Sequence, residues 1–195
     1  MADFVLASSS PRRRELLMQL GLDFEVMPSN IEEVLKGDTP GEMVKNLSLE
    51  KTLSVSSRIS GNKIVIGADT IVYMDGTIMG KPRNEDDAFS MLRRLSGGTH
   101  EVYTGLALVN TSTKEILSDF ECTQVLMKEL TDEEIRNYIN TGEPRDKAGA
   151  YAIQGKGSLI VKSIKGCYYN VVGLPLGKLR DMLLDWGVDL LRMGV

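Results

Sequence analysis

The chain has little histidine and little cysteine. There is one histidine, His100, and there are two cysteines, Cys122 and Cys167, in 195 residues. One imidazole does not build a histidine-based metal cluster. Two distant thiols with no second pair argue against both a disulfide framework and a zinc site. The expectation is two reduced thiols in a cytoplasmic protein. A Ser-His-Asp triad centred on His100 is conceivable, yet nothing around it reads as a nucleophile motif. No apolar run approaches the roughly 18 residues of a membrane span. The stretch from Met1 to Ala7 has no positive leader, and its arginines follow the apolar residues, so no signal peptide is expected. The basic excess of a general nucleic-acid binder is missing too, since the net charge is -4. Neither nucleic acid nor a membrane is an expected partner. An anionic ligand would have to meet positive charge that is local. Repeats and low-complexity linkers are also lacking.

What is present reads as one globular domain over residues 1–195. Apolar residues make up 42% and charged residues 26%, an ordinary balance, and the length allows a sizeable core. Phe4–Ala7 reads as a strand. Ser10 and Pro11 read as the cap and first residue of a helix carrying Leu16, Leu17 and Leu20, stopped by Gly21. Residues 22–27 alternate like a strand, and Thr39-Pro40-Gly41 opens a helix with Met43, Val44, Leu47 and Leu49. Two strands are expected at Lys63–Gly67 and Ile71–Met74, the second entering a hairpin turn at Asp75-Gly76. Asn84 caps a helix that ends at Ser96-Gly97-Gly98. Long strands follow at 100–109 and 116–128. Thr131-x-x-Glu134 is a capping box, and Gly142-Glu143-Pro144 breaks its helix. A strand is expected at Leu159–Val161 and a last helix near 175–185. The class is α/β with a long mixed sheet, helices on both sides and two lobes around a deep cleft. Met193 and neighbouring apolar residues are too few to argue an interface.

Several segments can carry chemistry. Ser8-Ser9-Ser10-Pro11-Arg12-Arg13-Arg14 lies between a strand and a helix N-terminus, where free N–H groups and a partial positive charge suit a phosphate. Helical residues point about 100° apart, so at most one or two of the arginines face one ligand. A capped helix with a solvated basic turn is the alternative. No Walker loop is present. Gly67-Ala68-Asp69-Thr70 places an acid after a buried-looking strand, suited to holding a divalent ion or activating water. A turn aspartate capping backbone is the plainer reading. Glu32-Glu33 supplies a second carboxylate or an exposed acidic loop. Lys51 and Lys81 are phosphate contacts or solvated lysines. The loop from Gly142 to Gly155 gathers charges, small residues and Tyr151, allowing close backbone approach to a ligand or only a tight connection.

Together these segments resemble the Maf family of nucleoside triphosphate pyrophosphatases, in order and over nearly the whole length. The resemblance rests on Leu6-Ala7-Ser8-x-Ser10-Pro11-Arg12-Arg13, Glu50-Lys51, Gly67-Ala68-Asp69-Thr70 and Gly80-Lys81-Pro82. It continues through His100-x-Val102-x-Thr104-Gly105, Asp146-Lys147-Ala148-Gly149-Ala150-Tyr151 and Val172-Gly173-Leu174-Pro175. It implies a Maf/ITPase-like fold and metal-dependent cleavage of a nucleoside triphosphate between its α and β phosphorus atoms. It also implies a role in cleansing the nucleotide pool, a cytoplasmic location and a homodimer.

The loop ending Ile153-Gln154-Gly155 looks like the subfamily acting on dTTP and UTP, with Ala152 where that subfamily usually has glycine. The resemblance implies specificity positions at Arg12, Thr70 and Gln154, and a general base at Asp69. Mg²⁺ or Mn²⁺ would bridge the triphosphate to Asp69, with Glu33 as second carboxylate. Asp69 could equally deprotonate the attacking water, and the two roles stay open. Ser8, Arg13, Lys51 and Lys81 would line the phosphates. A Gln carboxamide can accept from N3–H of uracil or thymine and donate to an adjacent carbonyl. Cytosine presents the reverse pattern. The rival readings are a pyrophosphatase for 7-methyl-GTP or deaminated purine nucleotides, a nucleotide-binding regulator of cell division without essential turnover, and a plain scaffold.

Overall fold

The computed structural model describes residues 3–192; Met193 lies outside them. The elements in chain order are β1 (Asp3–Leu6), α1 (Pro11–Gln19), β2 (Phe24–Val26), α2 (Pro40–Ser56), β3 (Lys63–Met74) and β4 (Thr77–Met79). They continue with α3 (Glu85–Leu95), β5 (Thr99–Asn110), β6 (Ile116–Met127), α4 (Asp132–Ile139), β7 (Val161–Lys165), α5 (Tyr168–Val172) and α6 (Leu176–Leu184). Short 3-10 turns occupy Glu143–Asp146, Ala148–Ala150 and Gly155–Leu159. The seven strands belong to one mixed sheet, and no helix is long and apolar enough to cross a membrane among the described residues.

The chain divides into two compact units. The first holds residues up to Asp69, Thr104–Glu121 and the chain from Gly173; the second holds Thr70–Tyr103 and Cys122–Val172. In the first, β1 pairs in parallel with β2 and with β3, Val5 lying beside Glu25 and Val65. Parallel neighbours need a crossover, and α1 and α2 supply it. Val5, Ala7, Val55, Val65 and Val109 form a fully buried cluster here.

Glycines set how closely α2 lies on its neighbours in this unit. A Cβ on Gly67 would sit 2.0 Å from Thr52 Oγ1, and one on Gly105 would sit 2.0 Å from the Val44 carbonyl oxygen. On the helix itself, a Cβ on Gly41 would meet the Phe120 ring at 2.5 Å. The buried face of α2 accordingly includes Ser48, Lys51 and Thr52 beside Val44, Leu47 and Val55. Thr52 satisfies its hydroxyl on the Ser48 carbonyl at 2.6 Å.

In the second unit the turn at Asp75-Gly76 joins β3 to antiparallel β4. Helix α3 packs against α4 and against Ala148–Ala150. Asn84 accepts from Asp87 N–H, and the Thr131–Glu134 capping box forms in full. β7 pairs antiparallel with β6, Val125 opposite Ile164.

Three expectations differ from the structure. Lys63–Gly67 and Ile71–Met74 are one continuous twelve-residue strand, because Gly67 serves close helix approach and breaks nothing. The strand placed at Leu159–Val161 starts only at Val161, since residues 155–159 are wound into a 3-10 turn. Ser10 stands at the N-cap of α1 but makes no side-chain cap; its N–H donates instead to Ser8 Oγ at 3.2 Å.

Candidate active site

The first unit gathers charge around Asp69. This residue lies in the interior of β3, not in a turn after it, and its carboxylate is buried. Lys51, near the end of α2, reaches it: Nζ donates to Asp69 Oδ1 at 2.6 Å. The same ammonium lies 2.7 Å from Glu33 Oε1. Side-chain exposure separates the three groups, at 8% for Lys51, 11% for Asp69 and 59% for Glu33. One cation thus joins a buried carboxylate to an exposed one. Gly67 lets α2 lie close to β3, which brings Lys51 within reach.

Arg13, on the first turn of α1, is half-buried. Its Nε donates to the Gly173 carbonyl at 2.8 Å and its Nη1 donates to Ser8 Oγ at 3.1 Å. Gly173 has φ +121°, a backbone state that favours glycine. Burial lowers the Arg13 pKa from its ordinary value; Asp69 and Glu33 oppose this, and neighbouring Arg12 adds to it. Guanidinium still stays protonated in proteins, so Arg13 is a fixed positive charge. Ser8 is buried and accepts two hydrogen bonds, from Ser10 N–H and from Arg13. Its own O–H remains a donor by valence. Arg12 is half-buried beside Arg13. Of the residues expected to act, Ser8, Arg13, Glu33, Lys51 and Asp69 are linked in this unit by bonds or charge.

Thr70, Lys81 and Gln154 lie in the second unit. Thr70 is half-buried on β3, Lys81 is exposed, and Gln154 is half-buried at the residue before the 3-10 turn Gly155–Leu159. Beside Lys81, the Gly80 carbonyl accepts from Gly149 N–H at 3.0 Å. Gly149 has φ +68°, and a Cβ there would lie 3.1 Å from Val72. Ala150 follows with φ +59°, unusual for a residue with a side chain. Lys147 pairs with Asp146.

His100 is not part of a triad. Its Nε2 is hydrogen-bonded to the Tyr151 hydroxyl at 2.7 Å, and its Nδ1 is buried without a partner. Burial pushes the His100 pKa down to about 4 and the Tyr151 pKa up. Both groups are therefore neutral near pH 7. Cys122 and Cys167 are both thiols rather than a disulfide. Among the described residues no three or more His, Cys, Asp or Glu side chains group to hold a metal.

Reading the residues alone missed three partners: the Gly173 carbonyl, the His100–Tyr151 pair, and Glu143, which binds the Gln154 turn. Gly173 and Tyr151 stood in the quoted motifs without a role. Glu143 had only its place before Pro144 as a signal.

The fold defines the class first. A HAM1 protein from Coxiella burnetii aligns with a TM-score of 0.54 at 14% identity, covering 95% of this chain and all of that one. The Staphylococcus aureus Ham1 protein aligns with a TM-score of 0.51 at 9% identity, covering 94% and 99%. These set a Ham1-like α/β architecture. Within that architecture the sequence is specific: residues 3–186 match the Maf-like protein family, and the chain belongs to it. A Caldicellulosiruptor saccharolyticus protein named dTTP/UTP pyrophosphatase is 52% identical over 196 residues, covering 98% of each chain. A Thermoanaerobacter sp. (strain X514) protein of the same name is 56% identical over 179 residues, covering 92% of this chain and 94% of its own.

Proposed function

We propose that this protein hydrolyses dTTP and UTP to the nucleoside monophosphate and pyrophosphate. The observation that carries the reading is the buried Asp69 carboxylate sharing the Lys51 ammonium with Glu33, at 2.6 and 2.7 Å. The names of the relatives, at half identity or more over nearly the whole chain, support the substrate choice. Water attacks the α phosphorus, its oxygen forms the new bond, the bond to the bridging oxygen breaks, and pyrophosphate leaves. Ser8, Arg12, Arg13, Lys51 and Lys81 bind phosphate oxygens, where positive charge counts most as negative charge shifts toward the leaving group.

Asp69 acts at the attacking water as its base or, in the alternative role, would hold a divalent ion. Its Oδ1 is occupied by Lys51 in this structure, and a phosphate drawing that ammonium away frees the oxygen. The donor chemistry fits Mg²⁺ or Mn²⁺: Glu33 and Asp69 offer hard carboxylate oxygens that already converge on one cation. When bound, such an ion lowers the pKa of water and offsets phosphate charge. Thr70 and Gln154 set base choice, with the Gln154 carboxamide pairing to the N3–H and a carbonyl of uracil or thymine. The cytoplasm is the proposed location, in keeping with two cysteines that form no disulfide.

A substrate panel tests this. It holds dTTP, UTP, CTP, the purine triphosphates, ITP and 7-methyl-GTP, each with Mg²⁺ and with Mn²⁺, and reads pyrophosphate and orthophosphate separately. Pyrophosphate from dTTP and UTP is expected. Release from ITP or 7-methyl-GTP instead would keep the reaction and overturn the base assignment. Nucleotide binding without any release would leave the regulatory reading.

A further inference from the structure

Glu143 is tied to the turn that carries Gln154. It opens the 3-10 turn Glu143–Asp146, and its own N–H donates to Thr141 Oγ1 at 3.2 Å. Its two carboxylate oxygens each accept one backbone N–H across the loop. Oε1 takes that of Lys156 at 2.9 Å, and Oε2 takes that of Gly157 at 3.1 Å. Gln154 stands directly before these residues, and its side chain makes no cap bond of its own. The seat is tight, because a Cβ on Gly155, at φ +61°, would lie 2.7 Å from Glu143 Oε1. On the other side of Gln154, Ala152 N–H donates to the Tyr138 hydroxyl at 3.1 Å. The backbone is thus held both before and after Gln154, and the later hold is a charge-assisted pair of bonds, stronger than neutral ones.

We propose that Glu143 is a positioning residue for pyrimidine selection. It fixes the backbone from which the Gln154 carboxamide reads the base edge and touches no substrate itself. This rests on the reading of Gln154 as the base contact. A carboxamide discriminates donor from acceptor only when its position is held to within a fraction of an ångström. The expected signature is therefore in KM and in dTTP-over-CTP selectivity, with the chemical step spared.

The test measures kcat and KM for dTTP and CTP in the wild type, Glu143→Ala, Glu143→Gln, Gln154→Ala and the Glu143→Ala/Gln154→Ala double variant. Thermal melts and amide exchange at Lys156 and Gly157 accompany them. Glu143→Ala should speed both amides, raise KM for dTTP about tenfold and lower the dTTP-to-CTP ratio about tenfold, with kcat within about threefold. Glu143→Gln keeps one carbonyl acceptor on a side chain of the same length and should fall between. Added to Gln154→Ala, Glu143→Ala should change the ratio no further. A folded Glu143→Ala with an unchanged ratio, beside a Gln154→Ala that loses it, overturns the role of Glu143 and leaves the Gln154 reading standing. An unchanged ratio in Gln154→Ala overturns both. If Glu143→Ala does not fold, Glu143→Gln decides: faster amides with an unchanged ratio overturn the inference.

Discussion

The two units place their candidate site residues by different physics. In the first, Arg13 lies on a helix, Asp69 on a strand and Lys51 on a helix seated against that strand through Gly67. Regular elements fix these charges; Lys51 is locked by its ion pairs with Asp69 and Glu33, and Arg13 by bonds to the neutral Gly173 carbonyl and Ser8 hydroxyl. In the second, Gln154 lies on irregular backbone with positive φ at Gly149, Ala150 and Gly155. There the chain is held by side chains that bond backbone groups, Glu143 and Tyr138 foremost. A phosphate site needs fixed charge, which helices and strands supply rigidly. Base selection needs shaped backbone, which loops supply.

The sharpest way to break this comparison is at Asp69. Asp69→Asn should lower kcat for dTTP by about 10² to 10⁴, the usual worth of a positioned acid or base. The amide oxygen still accepts from Lys51, so the fold should persist. Pyrophosphate release at saturating metal, with a thermal melt as control, checks both. Full activity in the variant would remove Asp69 from the chemistry.

The next effect tests whether close packing holds the first unit. Gly105→Ala places a methyl 2.0 Å from the Val44 carbonyl oxygen and should cost about 3 kcal/mol. Urea unfolding reads it. A loss under about 1 kcal/mol would mean that α2 shifts freely, and the charges would then not be rigidly placed.

A third effect, which reaches a similar size only at the acid end of its pH range, probes the second unit. His100 titrates near 6.5 when unfolded and about 4 when folded, because burial disfavours its cation. The unfolded state therefore binds more protons between these values. The contribution is fully present above pH 6.5 and is lost as pH falls toward about 4, by up to about 3 kcal/mol. Unfolding free energy measured from pH 7 to 4 should show that slope, and His100→Gln should flatten it. An equal slope in both proteins would place the acid sensitivity elsewhere.

Much of the fold was legible because local signals are strong. Apolar periodicity located α1 to α4 and missed the five-residue α5, Thr131 and Glu134 spelled out a cap that forms as read, and Asp75-Gly76 marked a real hairpin. The misreadings came where glycine serves packing: Gly67 looked like the end of a strand and is the interior of one. Ser10 looked like a cap, yet its side chain makes no cap bond. Of the candidate site, the ordered motifs named the charged residues, but no spacing rule predicts that one ammonium serves two carboxylates, or that Arg13 spends two donors on Gly173 and Ser8.

By itself the amino-acid sequence determined the α/β class, the order of most elements up to α4 and the family, because propensity, periodicity and motif order are properties of neighbouring residues. Only the tertiary structure decided which charges pair and what holds the loop before Gly155. Those contacts join residues far apart in the chain: Lys51 with Glu33 and Asp69, Arg13 with Gly173, and His100 with Tyr151. Their bonding is set by the close approach of backbones in space, and for that separation along the chain carries no signal.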